Sequence, residues 1–184
     1  MTIQEFCDKH KPCEEYRKWM SDNCLTMDEV WQTASPNIVG WLATRDGVLD
    51  AKTLRLFAVS CVNRINIPLF NSDCMLPEHK AVLEVAMRRS EGNATDDELN
   101  AVAGTVKTDG LANRYSMVFG GDMLYAAYTA LKNTVRIDPR SAAWGAMIES
   151  CYSRGCTPSS DAARNRMLAD HAAWLRANAK PTFA

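Results

Sequence analysis

The sequence feature that most constrains the fold is a helical repeat of apolar residues in the middle of the chain. Between Asp50 and Asn66 the apolar side chains recur at the i, i+3, i+4, i+7, i+8 and i+11 spacing of one α-helical face. They are Leu54, Phe57, Ala58, Cys61, Val62 and Ile65. Asp50 can cap the first turn because its carboxylate accepts a free backbone N–H, and Pro68 marks the end of the segment. We therefore predict a central amphipathic helix.

The same helical period recurs along the rest of the chain, between residues that start or stop helices. Thr26-Met-Asp-Glu29 and Thr95-Asp-Asp-Glu98 match the capping box that opens helices. Prolines lie at or just before the start of other segments, where a missing N–H costs little. They are Pro12, Pro36, Pro77, Pro139 and Pro158. The sequence contains no run of alternating β-branched residues that would predict a strand. The predicted class is all-α, a compact bundle of about seven to nine helices with no significant sheet.

The sequence also predicts where the helices are interrupted and which residues form the apolar faces of the last two segments. A break is expected near residues 107–110, and Gly120-Gly121 is expected to form a hinge. The segment after Pro139 repeats Trp144, Met147, Ile148 and Cys151 at the spacing of a buried face. The last segment carries a broad apolar face of Met167, Leu168, His171, Ala172, Trp174 and Leu175.

The length and composition predict one domain. A chain of 184 residues that is 47% hydrophobic and 23% charged can bury a sufficient core by itself. We predict a single helical domain over residues 1–184. Within it, residues 1–45 form short, broken helices packed on the core, and residues 50–180 form the main bundle.

The charge and the cysteine content of the chain indicate which classes of binding partner and which cellular compartment to expect. The 21 basic and 22 acidic residues leave a net charge of −1, which lacks the strong positive excess of typical nucleic-acid-binding proteins. Neither a signal peptide nor an apolar run long enough to span a bilayer is evident, so we expect no membrane partner. Seven cysteines, an odd number, indicate reduced thiols. These features together predict a soluble, cytoplasmic protein.

Several segments together form a recognisable pattern. They are Leu54-Arg-Leu-Phe-Ala-Val-Ser-Cys-Val-Asn-Arg64, Leu83-Glu-Val-Ala-Met-Arg88 and Glu91-Gly-Asn-Ala-Thr-Asp-Asp-Glu-Leu99, with Trp31 and Pro36-Asn-Ile-Val-Gly-Trp-Leu42 upstream. This pattern resembles that of a family of small helical proteins from bacteriophages and bacteria. The resemblance covers roughly residues 13–130, and the family includes proteins described as immunity proteins. It implies a helical fold in a phage or bacterial context, and the immunity label implies binding and blocking a protein toxin.

The N-terminal region carries a cluster of zinc-ligating residue types. Cys7, His10 and Cys13 lie three residues apart on a presumed loop, and Cys24 follows from the next helix. Four such side chains can close a tetrahedral zinc site. The usual CxxC knuckle is absent, however, and free cysteines are common core residues. We therefore favour buried or idle thiols, and predict no metal or other cofactor.

No catalytic constellation stands out. A cysteine nucleophile needs a neighbouring base, but Cys61 lies on the inward face of the central helix, where burial would make the thiol inert. Neither His79 nor His171 can be paired with a cysteine from the sequence. We predict no catalytic residue, and lean towards a protein that is not an enzyme.

The candidate binding residues are two tryptophans and three charged side chains. Trp31 and Trp41 are of the type enriched in interface hot spots, although tryptophan also fills cores. Arg55 and Arg64 could pair with Glu84, either as a structural ion pair or as part of a dispersed enzyme site.

These observations favour a non-enzymatic protein-binding accessory factor of phage or bacterial type. We expect it to inhibit or sequester a protein partner of bacterial or phage origin, in an immunity or counter-defence role. Two alternatives stay open: an enzyme with the dispersed Arg/Glu site, and a nucleic-acid-binding protein that uses a basic C-terminal helix. The residues for the latter are Arg164, Arg166 and Arg176. The sequence leaves homo-oligomer formation open.

Overall fold

The computed structural model describes residues 1–65, 76–106, 121–153 and 158–183, and these residues form ten helices without a strand. The helices are α1 (Ile3–His10), α2 (Glu14–Asn23), α3 (Met27–Thr33), α4 (Pro36–Ala43), α5 (Ala51–Asn63), α6 (Pro77–Ser90), α7 (Asp96–Ala103), α8 (Gly121–Asn133), α9 (Pro139–Tyr152) and α10 (Pro158–Asn178). The all-α prediction is confirmed, and the number of helices exceeds the predicted seven to nine.

The additional helix is α1, in a region that the sequence analysis treated as a loop. Thr2 accepts the backbone N–H of Glu5 at 3.2 Å, and the Glu5 carboxylate accepts the backbone N–H of Thr2 at 2.7 Å. This is a complete capping box, the same signal that was recognised at Thr26 and Thr95. The helix ends at Lys11, whose φ of 48° lies in the left-handed region. Cys7 and His10 are therefore helical.

The caps recognised in the sequence form as expected. Thr26 and Thr95 each complete a capping box with the glutamate three residues later. Asp50 accepts the backbone N–H of Thr53 at 2.7 Å and opens α5. Because each cap involves residues within one helical turn, the local sequence is sufficient to specify these helix starts.

Helix α5 lies between two hydrophobic cores. All six residues of its predicted apolar face are buried, and so are Arg55 and Val59. On one side, Leu54, Phe57, Ala58 and Cys61 join a core formed with α1 to α4, α9 and α10. On the other side, Val59, Val62 and Ile65 join a core formed with α6, α7 and α8. Burial of nearly its whole circumference makes α5 the centre of the bundle.

Helix α9 buries two of the four residues of its predicted face, Met147 and Cys151. Its main contacts are with α5 and α8, and its other buried residues are small: Ala142, Ala143, Ala146 and Ser150. Trp144 points outward and is 38% exposed, and Ile148 is only partly buried. The prediction that Trp144 lies in the core is therefore wrong. Alanine side chains allow closer approach of neighbouring helices than a tryptophan would, so the alanine face packs in the interior.

The two ends of the described chain meet beside the N-terminal helices. The backbone N–H of Thr182 donates to the Val48 carbonyl at 2.9 Å. The Phe183 ring packs edge-on against Phe6 and Trp31, with centroid distances of 5.9 and 6.5 Å. Residues 1–45 thus share one hydrophobic core with the last helix.

Some sequence-based expectations lie outside the described residues. These are the helix end at Pro68, the break near residues 107–110 and the Gly120-Gly121 hinge up to the start of α8. Cys74 and Cys156 also lie outside, while the five cysteines within the described ranges are free thiols. Among the described helices, none combines the length and apolar character required to cross a bilayer.

Candidate functional site

Trp31, the first predicted binding residue, lies in the core. It is 1% exposed, and its carbonyl accepts Arg176 Nε at 2.9 Å. Its indole Nε1 is buried and has no hydrogen-bond partner among the residues that the structure describes. A side chain enclosed in this way contributes to packing and has no face for a partner.

Trp41, the second predicted binding residue, lies at the surface end of α4. Its ring is partly buried against Phe6 and Tyr16, with T-shaped centroid distances of 6.2 and 6.0 Å. The Arg45 guanidinium lies over the ring, with its Cζ 4.9 Å from the centroid. This is a cation–π contact between residues one helical turn apart.

Arg45 is held in place by several contacts. Its Nε donates to the Trp41 carbonyl at 3.1 Å and its Nη2 donates to the Thr44 hydroxyl at 3.0 Å. Burial lowers the pKa of Arg45, and the nearby positive charge of Arg140 lowers it further. Arg45 is therefore a fixed, partly desolvated cation at the surface.

Trp144 and Arg140 bring α9 to the same surface. Both, together with Thr44, Arg45 and Ser141, line a hollow of about 160 Å³. Arg140 Nη1 lies 3.0 Å from the exposed Asp46 carboxylate. We call Trp41, Arg45, Arg140 and Trp144 the Trp41–Trp144 surface. It combines two aromatic rings with two guanidinium groups, and the sequence analysis identified only Trp41 among its members.

Arg55, Arg64 and Glu84 lie in three different environments. Arg55 is 5% exposed and donates to the carbonyls of Arg136 at 3.0 Å and Ile137 at 2.6 Å. Arg64 donates to the Ser60 carbonyl at 2.9 Å on its own helix. Glu84 is exposed on α6. The two hydrogen bonds of Arg55 therefore tie α5 to the turn between α8 and α9.

The N-terminal cysteines and histidine do not converge. Cys7 is buried, and burial raises the pKa of its thiol. His10 packs on Phe6 at a centroid distance of 4.4 Å, Cys13 is exposed, and Cys24 Sγ lies 3.5 Å from the Thr33 hydroxyl. In the described part of the chain, no three His, Cys, Asp or Glu side chains are placed to hold a metal ion.

A buried serine–histidine pair joins α9 and α10. Ser150 Oγ lies 2.9 Å from His171 Nε2 and donates to the Met147 carbonyl, so the imidazole Nε2–H is the donor between them. Burial lowers the pKa of His171 to about 3, with a smaller contribution from Arg64. Because Ser150 is 0% and His171 1% exposed, the pair is closed to a substrate and acts as a packing contact.

The three C-terminal arginines point in different directions. Arg176 turns inward and donates to the carbonyls of Trp31 and Ala34, at the C-terminal end of α3. Arg164 pairs with Asp161 at 2.9 Å, and Arg166 is exposed. This arrangement lacks the continuous basic stripe that a nucleic-acid-binding helix requires.

The sequence analysis missed Arg45, Arg140 and Trp144. Arg45 could have been identified from its spacing, because it follows Trp41 by four residues, the spacing that brings two side chains together along a helix. Nothing local indicates that Arg140 and Trp144 join them, because α4 and α9 are distant in sequence. No protein-family model matches the chain, and no curated protein or solved structure is significantly similar to it.

Proposed function

We propose that this protein is a non-enzymatic binding factor that engages another protein through the Trp41–Trp144 surface. The observation that carries the proposal is the composition of that surface, since tryptophan and arginine are the residues most enriched at interface hot spots. Trp144 supports it most directly, because a large aromatic side chain that is 38% exposed retains apolar area for a partner to cover.

The size of the hollow favours a protein partner over a small molecule. Pockets for small molecules usually enclose roughly 300–1,000 Å³. The hollow between Arg45, Arg140 and Trp144 encloses about 160 Å³, which suits a single side chain. A protein surface can insert such a side chain and cover the surrounding rings at the same time.

The charges support a partner that inserts a carboxylate. Arg45 and Arg140 line the same hollow and are close enough for Arg140 to lower the pKa of Arg45. Arg140 is already paired with Asp46 at 3.0 Å and with Asp138 at 3.5 Å, so a partner aspartate or glutamate in the hollow would add its charge-assisted hydrogen bond mainly to Arg45. Arg45 is already held by Trp41 and Thr44, so little side-chain entropy is lost when it binds.

The biological role proposed for this binding is inhibition or sequestration, as an immunity or counter-defence factor. This part rests on the resemblance of segments such as Leu54–Arg64 to phage and bacterial proteins described as immunity proteins. The proposal includes a partner of bacterial or phage origin and a cytoplasmic location, which the odd number of cysteines supports.

Affinity purification of the tagged full-length chain tests the proposal. The chain is expressed in a bacterial host with and without phage infection, and co-purifying proteins are identified and quantified by mass spectrometry. We expect a stoichiometric partner that Trp144→Ala weakens by about 30-fold or more, the effect of a hot spot worth about 2 kcal/mol. Arg140→Ala should weaken the same complex.

Tyr152→Ala provides the matched control. Tyr152 is an aromatic residue on the same helix, is 46% exposed and lies outside the Trp41–Trp144 surface. Its replacement should leave the complex unchanged, and circular dichroism verifies that each variant folds. Equal binding of the partner by wild type and Trp144→Ala would refute this location of the interface, and the absence of any partner would refute the function.

A further inference from the structure

A second concave site lies between α7, α8 and the turn that follows α8. It encloses about 490 Å³, within the range of small-molecule pockets and about three times the hollow beside Trp144. Asn100 and Ala103 line it from α7, Tyr125 and Lys132 from α8, and Arg136 and Ile137 from the turn. None of these residues belongs to the Trp41–Trp144 surface, so this site is independent of the proposed function.

The wall of this cavity contains the carboxamide of a largely buried residue. Asn133 is 4% exposed and lines the cavity. Its carboxamide lies directly on Gly145 of α9, where an added Cβ would come within 2.6 Å of the Asn133 Cγ and Nδ2. The amide adds hydrogen-bonding groups to the wall of the cavity.

A buried polar group one helical turn earlier on α8 lacks a partner among the described residues. Thr129 lines the same cavity, and its buried hydroxyl oxygen has no hydrogen-bond partner in the described part of the chain. In helices, threonine hydroxyls commonly bond to a carbonyl of the preceding turn. An unpaired buried hydroxyl is costly, and a polar ligand group in the cavity can satisfy it.

The charges that line the cavity are positive. Lys132 and Arg136 are exposed at its rim, and the lining contains no carboxylate. Behind the rim, the buried Arg55 guanidinium donates to the carbonyls of Arg136 and Ile137 and holds the turn in place. An anionic group in the cavity would meet two cations and an amide N–H donor, the groups that bind phosphate and carboxylate oxygens.

The rim also offers apolar area. The Tyr125 side chain is 48% exposed and Ile137 is 52% exposed, and both line the cavity. A planar ring can stack on tyrosine and contact isoleucine while an attached anion reaches the cationic side. The site thus combines an aromatic contact with an anion-binding wall.

We propose that this cavity binds a mononucleotide-sized organic phosphate, with the phosphate at Lys132, Asn133 and Arg136 and the planar ring against Tyr125. The size of the cavity accommodates a whole mononucleotide. The amide of Asn133 can donate to a phosphate oxygen, and Asn100 on the opposite wall offers hydrogen-bonding groups to the remainder of the ligand.

Titration of the full-length protein with nucleoside 5′-monophosphates tests this inference. AMP, GMP, CMP and UMP are followed by isothermal titration calorimetry and by NMR of the backbone amides, with inorganic phosphate and adenosine as partial ligands. We expect at least one nucleotide to bind with a dissociation constant below about 1 mM, and more tightly than either partial ligand. The perturbed amides should cluster in residues 100–103 and 125–137.

Substitutions of Lys132 and Arg136 at the rim of the cavity test binding without disturbing the fold, because both side chains are exposed. We call these the rim variants. Lys132→Gln and Arg136→Gln should each weaken the nucleotide by about tenfold, the effect expected from one charge-assisted hydrogen bond. The isosteric Asn133→Asp should weaken it further by placing a negative charge beside the phosphate. Lys80→Gln, an exposed lysine on α6, should have no effect.

Three results would overturn the inference. They are the absence of saturable binding by any of the four nucleotides, unchanged binding by the rim variants, and equal affinity for inorganic phosphate and nucleotide, which would mean an adventitious ion only. Binding by the nucleotides with loss in the rim variants supports it, whether or not a protein partner is found for the Trp41–Trp144 surface.

Discussion

Protonation of His171 should destabilise the fold as the pH falls, by an amount that the structure allows us to estimate. Nε2–H of the imidazole donates to Ser150, while Nδ1 is buried and has no hydrogen-bond partner within the described ranges of the chain. The ring packs edge-on against Phe57 at a centroid distance of 5.9 Å. A proton on Nδ1 would therefore place a charge in an apolar site with no acceptor for the new N–H.

The sign of the effect follows from the lowered pKa of His171. Burial lowers this pKa from 6.5 in the unfolded chain to about 3 in the folded protein. Between these values the unfolded state binds the additional proton, so stability rises with pH. The contribution is fully present above pH 6.5 and is lost as the pH falls towards 3. At about 1.36 kcal/mol per pH unit, the loss is about 3 kcal/mol by pH 4.5 and about 4 kcal/mol by pH 3, where the folded-state ring is half protonated.

Urea unfolding of wild type and His171→Gln at a series of pH values measures this effect. Glutamine can retain a donor to Ser150 but does not titrate, so the loss of stability between pH 7 and pH 4.5 should be about 3 kcal/mol smaller in the variant. Other groups with shifted pKa values, such as His79, contribute equally to both proteins and cancel in the difference. His10→Gln, at a less buried histidine, should retain most of the wild-type slope.

The reasoning would be refuted if wild type and His171→Gln lost the same free energy over this pH range. An NMR titration of the His171 ring gives a second readout, because the folded-state resonance should not titrate near pH 6.5. A midpoint near that value would show that the ring is solvated and that its burial has little energetic consequence.

Two inward-pointing arginines give further predictions, each measured as a change in urea unfolding midpoint at constant m-value. Arg55→Met should lower the free energy of unfolding by roughly 3–5 kcal/mol, because two charge-assisted hydrogen bonds to carbonyls are lost at a buried site. Lys52→Met, on the exposed face of α5, should lower it by about 0.5 kcal/mol or less. Arg176→Met should cost roughly 1.5–3 kcal/mol through loss of its bonds to the α3 carbonyls, and Arg166→Met, exposed on the same helix, serves as the control. A cost at Arg166 equal to that at Arg176, or a neutral Arg55→Met, would contradict these roles.

The helices were largely predictable, because the signals that start them act over one turn. Capping residues such as Asp50 and Thr95 bond to a backbone N–H three residues later. The same rule, applied to Thr2 and Glu5, would have found α1, which was overlooked because the spacing of Cys7, His10 and Cys13 suggested a metal-binding loop.

The candidate site was much less predictable. Trp41 could be named from residue type, but the same reasoning named Trp31, which fills the core. Trp144 was expected to be buried and is a surface residue, because alanines pack into the interface of α9 with α5 and α8. Residue type alone does not distinguish a core tryptophan from a contact tryptophan, since both uses follow from the same large apolar ring.

By itself, the sequence determined the all-helical class, the central position of the Asp50–Asn66 segment and the starts of several helices, because these depend on periodicity and on contacts within one turn. Only the tertiary structure decided which partners the buried polar groups have. Arg55 bonds to carbonyls 81 and 82 residues away, and the Asn133 amide rests on Gly145 of the next helix. Both arrangements depend on how the helices pack against each other. Packing brings together residues that are far apart in the sequence, so the local sequence around each residue does not specify its partner.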